Sequence, residues 1–135
     1  MRPLHILLVD DDDIEVENVQ RACKRAGITH PLFVACDGVQ ALAMMRSNEV
    51  PRERRVVLLD LNMPRMTGLE MLAELRADPT LRHTPVVVFS TSSHTSDIDE
   101  AYRHCAAGYL VKPQSFEQLV QALTALVAAW QVLEL

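Results

Sequence analysis

The chain has 135 residues, the length of one ordinary domain, and at that size roughly 70% of the unfolded surface can be buried without a disulfide or metal staple. Hydrophobic residues make up 49% and charged residues 23%, which excludes a disordered chain, and a net charge of −5 argues against nucleic acid as the main partner. No apolar run approaches the roughly 20 residues that cross a bilayer, the start Met1-Arg2-Pro3-Leu4 is too short for a signal peptide, and Cys23, Cys36 and Cys105 form no CxxC pair. A cytoplasmic protein with reduced thiols and no membrane partner is expected.

Strand-like and helix-like patterns alternate five times. Residues 4–9 are apolar except for His5, as in a strand buried on both faces, and end in four consecutive aspartates at 10–13. Val16, Val19, Cys23 and Ala26 form a helical stripe closed by Gly27. Residues 32–36 read as a second strand, turned by Asp37-Gly38 into a helix carrying Leu42 and Met45. After Pro51 and the basic loop 52–55, residues 56–59 make a third strand ending at Asp60. Gly68 then opens a helix lined by Leu69, Leu72 and Leu75. Residues 85–89 form a fourth strand ending at Ser90, and a weaker helix with Ile98, Ala101, Tyr102 and Cys105 follows. Residues 109–111 are a brief fifth strand stopped by Lys112-Pro113, and Ser115 caps a long last helix over about 115–133. No repeat or linker interrupts the pattern, so residues 1–135 are expected to form a single α/β domain with a parallel sheet covered on both faces.

In open α/β sheets ligands bind beyond the carboxyl ends of the strands. Polar residues interrupt the apolar pattern at that end of four strands: Asp10 and Asp11, Asp60, Ser90, and Lys112. Three carboxylates within ~4 Å of one another repel by about 4 kcal/mol per pair at an effective dielectric of about 20. They need protonation or a hard cation, and an oxygen-only donor set suits Mg²⁺ or Mn²⁺ better than Zn²⁺. A carboxylate nucleophile, a divalent cation, a hydroxyl and a lysine together make a phosphoryl-transfer site. Structural readings stand beside this one. Asp12 with Glu15 three residues later fits a capping box, so part of the acidic run has a helix-starting role.

The segments Ile6-Leu7-Leu8-Val9-Asp10-Asp11, Leu59-Asp60-Leu61-Asn62-Met63-Pro64-Arg65-Met66-Thr67-Gly68, the strand end at Ser90, and Tyr109-Leu110-Val111-Lys112-Pro113 resemble the receiver domains of two-component response regulators. The resemblance covers nearly the whole chain. It implies a flavodoxin-like (βα)5 doubly wound sheet of order 2-1-3-4-5 and a signalling protein that catalyses only its own phosphorylation and dephosphorylation. It also implies that Asp60 takes a phosphoryl group from a histidine kinase. Asp11 then holds Mg²⁺ directly, Asp10 mainly through water, and Asn62 through its backbone carbonyl, with Asp60 itself a ligand. Lys112 contacts the phosphoryl oxygens, and its peptide to Pro113 is expected cis. Ser90 and Tyr109 form the switch, Ser90 moving to the phosphoryl group and Tyr109 rotating inward. Thr91, Ser92 and Asn62 line the route for water.

The segment Asp78-Pro79-Thr80-Leu81-Arg82-His83-Thr84-Pro85, the run Ser90-Thr91-Ser92, the stretch from Asp97-Ile98 to Tyr102, and Trp130 resemble the stand-alone regulators that serve bacterial phytochrome kinases. A kinase of that type is therefore an expected partner. Two other readings stay open. A haloacid-dehalogenase-type phosphatase also uses an Asp nucleophile but needs a second acid where Asn62 stands, and a pseudo-receiver keeps the fold without the chemistry. Phe116, Leu119, Leu123, Leu126, Trp130 and Leu133 are spaced like coiled-coil positions a and d, so a homodimer through the last helix is expected, with ordinary packing on the sheet as the alternative.

Overall fold

The five apolar runs become five parallel strands, each followed by a helix. In the computed structural model, which describes residues 2–132, the order is β1 (His5–Val9), α1 (Asp13–Arg25), β2 (Leu32–Ala35), α2 (Gly38–Arg46), β3 (Arg55–Leu59), α3 (Gly68–Ala77), β4 (Val86–Ser90), α4 (Thr95–Arg103), β5 (Gly108–Val111) and α5 (Phe116–Gln131). The sheet runs β2-β1-β3-β4-β5, the flavodoxin-like order. In register, Val9 pairs with Ala35 on one side and with Leu59 on the other, so the strand ends lie level at the carboxyl rim.

Side chains alternate across the sheet with the strand period of two. Ile6, Leu8, Val56, Leu58, Val87 and Phe89 face α1 and α5, and pack with Val19, Ala22, Cys23, Leu119 and Leu123. Leu7, Val9, Val57, Leu59, Val86 and Val88 face the opposite way, beneath Leu42, Met45, Met71, Leu72, Leu75 and Ala101 of α2, α3 and α4. Burial on both faces explains why these strands read as continuous apolar runs.

Each of four helices starts at a side-chain cap. Asp12 accepts from the Ile14 and Glu15 amides, Asp37 from Gln40, and Ser115 from Gln118. Thr67 and Glu70 form a complete capping box at α3. Such caps are worth about 1 kcal/mol each, and here they fix helix entry beside the rim. Gly68 is required for another reason: a Cβ there would lie 2.3 Å from the Asp60 carbonyl oxygen and 2.7 Å from Leu61 Cα. Only hydrogen allows α3 to begin pressed against the end of β3.

Most of the residues of the expected dimer seam pack inside the fold. Leu119, Leu123 and Trp130 are buried in the chain's own core, Trp130 being 4% exposed. Phe116 and Leu126 pack against the same cluster and are half-buried, while Leu133 lies outside the described residues. The reason is geometric. The sheet alone covers about four turns of helix, but α1 packs along α5, and Leu4, Val56 and Val87 extend the apolar floor to Trp130. The Lys112–Pro113 peptide also differs from expectation: there is no cis bond among the described residues. An X–Pro bond favours trans by about 0.5–1 kcal/mol, and Lys112 reaches the acidic rim from that geometry.

Candidate functional site at the carboxyl rim

The sheet ladder continues one residue past the strands and sets the site. The Asp10 amide donates to Ala35 O (3.0 Å), the Asp60 amide to Val9 O (2.9 Å) and the Lys112 amide to Ser90 O (2.8 Å). Asp10 and Asp60 therefore stand side by side on adjacent strands, buried at 1% and 3% exposure. Asp10 Oδ1 accepts from the Asp12 amide at 2.9 Å. Asp60 Oδ1 accepts from the Asn62 amide at 3.4 Å and from Lys112 Nζ at 3.3 Å. Asp10 Oδ2 is buried without a hydrogen bond, with Lys112 Nζ at 3.8 Å.

The shortest contacts of Lys112 are elsewhere. Its Nζ donates to both carboxylate oxygens of Glu15 at 2.8 Å. Glu15 thus completes no capping box with Asp12; it enters the site, and carboxylate oxygens of Asp10, Glu15 and Asp60 lie within 4.8 Å of one another. Sequence reasoning missed it because the capping pattern accounted for it locally. Its signal was position: a side chain in the first turn leans back toward the helix N-terminus, here toward the β1 rim. Asp11, expected as the direct metal ligand, is exposed and outside this group of three.

Ser90 is fully buried at the end of β4, where its Oγ accepts from the Ser92 amide at 3.1 Å. The Tyr109 hydroxyl donates to Ser92 O at 2.9 Å, and its half-buried ring packs on the α2–α4 side of the sheet. Both expected switch residues therefore meet at the loop after β4. Asn62 is exposed and touches Asp60 through its amide.

Burial shapes the electrostatics. Desolvation pushes the Asp10 carboxyl up to about 7, with the Asp60 charge adding to it against the Asp12 amide and Lys112. Asp60 is raised by the same burial, partly offset by Lys112 and the Asn62 amide. Burial alone would lower Lys112, but its bond to Glu15 and the charges of Asp60 and Asp10 outweigh that and raise it.

A model of the response regulator receiver domain matches residues 6–124, which hold every residue of this rim. The chain belongs to the response regulator receiver family. The receiver is 33% identical to response regulator Rcp1 of Synechocystis over 131 residues, covering 95% of this chain and 89% of that protein. It is 36% identical over 130 residues to the probable methanogenesis regulatory protein FilR2 of Methanothrix harundinacea, covering 95% and 84%. Among solved structures, the phosphorylated cyanobacterial phytochrome response regulator RcpA superposes with a TM-score of 0.84 at 34% identity, over 97% of this chain and 96% of that one. The Mn²⁺-bound form of Rcp1 superposes with a TM-score of 0.80 at 34% identity, over 95% and 94%. The receiver is thus related to stand-alone phytochrome-associated regulators, and it is a signalling domain.

The donor set of the receiver fits a hard divalent cation. It offers carboxylate oxygens only, crowded within 4.8 Å, with one buried oxygen that no hydrogen bond satisfies. A pH dependence follows for the metal-free receiver. The Asp10 carboxyl titrates near 3.8 when unfolded and about 7 when folded, so folding favours its protonated form. That contribution is fully present below pH 3.8 and is lost as pH rises through 7. Metal-free stability is expected to fall between pH 3.8 and about pH 7, by on the order of 2–4 kcal/mol. Asp10→Asn should flatten the fall, and Mg²⁺ should restore stability most at the upper end. Equal pH slopes for variant and parent in thermal melts would contradict this assignment.

Proposed function

We propose that the receiver accepts a phosphoryl group from a phosphohistidine of a histidine kinase onto Asp60, in a reaction that requires Mg²⁺ or Mn²⁺. The observation that carries this reading is the buried Asp60 carboxylate, 3.3 Å from Lys112 Nζ and beside Asp10. An Asp60 oxygen attacks phosphorus, the P–N bond to the imidazole breaks, and an aspartyl phosphate forms as the ring leaves. Asp10, Asp60, Asp11 and the Asn62 carbonyl are the proposed cation ligands. When bound, the cation supplies positive charge to the transferring oxygens. Lys112 balances the phosphoryl charge from the other side, and the Ser90 hydroxyl turns from the Ser92 amide to donate to it. Tyr109, bonded to the carbonyl of Ser92, follows that loop and carries the change to the β5 face.

The partner in this reading is a bacterial phytochrome-type kinase, and the compartment is the cytoplasm. Support comes from the similarity to Rcp1 and RcpA over nearly the full length of all three chains. Homodimerisation belongs to the reading through the face that α5 leaves open. There Tyr109, Leu110, Ala122, Ala125, Leu126 and Ala129 border a cavity of about 470 Å³. A pseudo-receiver is not favoured, because Asp10, Asp60, Ser90 and Lys112 all follow or end strands at the carboxyl rim with competent side chains. Phosphotransfer from a panel of labelled histidine kinases tests the partner: the phytochrome kinase is expected to load the receiver within seconds, ahead of the others. Clear preference for a kinase without a light-sensing module would overturn the phytochrome assignment.

A further inference from the structure

We propose that Glu15 is a latch on Lys112: it holds the ammonium in the resting receiver, competes for it with the incoming phosphoryl group, and so limits how readily Asp60 is phosphorylated. The inference rests on the phosphoacceptor reading of Asp60. Three observations carry it. Both Glu15 oxygens lie 2.8 Å from Lys112 Nζ, whereas Asp60 is at 3.3 Å and Asp10 at 3.8 Å. The lysine side chain is only 11% exposed, so water offers it few alternative partners. An ammonium has three donors, and Glu15 engages it with both oxygens.

A phosphoryl group on Asp60 brings acceptor oxygens and negative charge to the same space. Lys112 meets them by loosening its hold on Glu15, and the carboxylate left behind faces the phosphoryl charge. Glu15 therefore opposes the phosphorylated state twice, by retaining the cation and by repulsion. Release has a mechanical side. Glu15 belongs to the first turn of α1 and Lys112 follows β5, 97 residues along the chain, so breaking the pair removes one tie between the start of α1 and the segment that leads into α5.

The sequence makes the test clean, because Lys24 and Lys112 are its only lysines and Lys24 is exposed. The wild type, Glu15→Gln and Glu15→Asp are compared in two experiments. Side-chain ammonium ¹H–¹⁵N NMR is expected to show a slowly exchanging Lys112 signal in wild type, lost in Glu15→Gln and partly kept in Glu15→Asp. Intact-mass time courses with acetyl phosphate over a Mg²⁺ series are expected to show Glu15→Gln phosphorylated roughly fivefold faster at each Mg²⁺ concentration, the scale of a partly exposed ion pair, with Glu15→Asp between. An unchanged rate with an unchanged ammonium signal overturns the latch. Slower phosphorylation with a raised Mg²⁺ requirement also overturns it, making Glu15 a cation ligand instead. A wild type that gains no phosphoryl group overturns the phosphoacceptor reading and the competition with it, and the ammonium signal separates that failure from a missing Glu15–Lys112 bond.

Discussion

Asp60→Asn is expected to fold as well as wild type and to gain no phosphoryl mass from acetyl phosphate and Mg²⁺. The amide has the shape of the carboxyl and can accept the Asn62 amide, and it keeps the Asp60 main chain in the ladder to Val9. It removes a buried charge that desolvation already disfavours, so the metal-free variant should melt at or above the parent. What it lacks is nucleophilicity: the amide nitrogen lone pair is delocalised and the oxygen carries no full charge. The two carboxylates grouped with it are less available. Asp10 is one strand away with one oxygen tied to the Asp12 amide, and Glu15 is tied by both oxygens to Lys112. Intact-mass spectrometry reads the result directly. Phosphorylation of the variant to the wild-type extent would reject Asp60 as the acceptor.

Trp130→Ala should cost about 3–5 kcal/mol, the scale of emptying a buried aromatic site, and lower the melting temperature by roughly 10–20 °C. Total stability of a domain this size is about 5–15 kcal/mol, so this is a severe loss. The side chain is 4% exposed and belongs to the cluster that joins α5 to Leu4, Val56, Val87 and α1. A cavity there separates the end of α5 from its floor. The effect should be the same at low and high protein concentration, because the indole is 4% exposed and its contacts are with the core of its own chain. Denaturant melts at two concentrations check this. A midpoint that hardly moves at low concentration but falls at high concentration would return Trp130 to an interface.

The two Trp130 readings show where sequence reasoning reached its limit. Spacing placed Phe116, Leu119, Leu123, Leu126 and Trp130 on one stripe of a helix. A stripe states that a face is covered and is silent on what covers it. The cover came from α1, about 100 residues earlier in the chain, and from the starts of β3 and β4. Leu119 and Leu123 are core for the same reason.

Elsewhere the sequence was sufficient. Strand ends at Val9, Leu59 and Ser90, helix starts at Asp37, Gly68 and Ser115, and the burial of both sheet faces all follow from local signals: apolar runs of strand length, turn and capping residues and helical periodicity. The rim could be named as well, because parallel strands deliver their next residues to one edge whatever the details of packing. Asp10, Asp60, Ser90 and Lys112 were legible on that ground.

The sequence by itself determined the α/β architecture, the carboxyl-rim location of the site and the types of group it contains, since each depends on interactions between near neighbours or on a general rule of parallel sheets. Only the tertiary structure decided which side chains meet there. It brought Glu15 to Lys112 across 97 residues, left Asp11 exposed outside the carboxylate cluster, and turned Trp130 inward. These are pairings of groups distant in the chain. Their distances are set by how α1 and α5 seat against the sheet, and no local pattern encodes that seating.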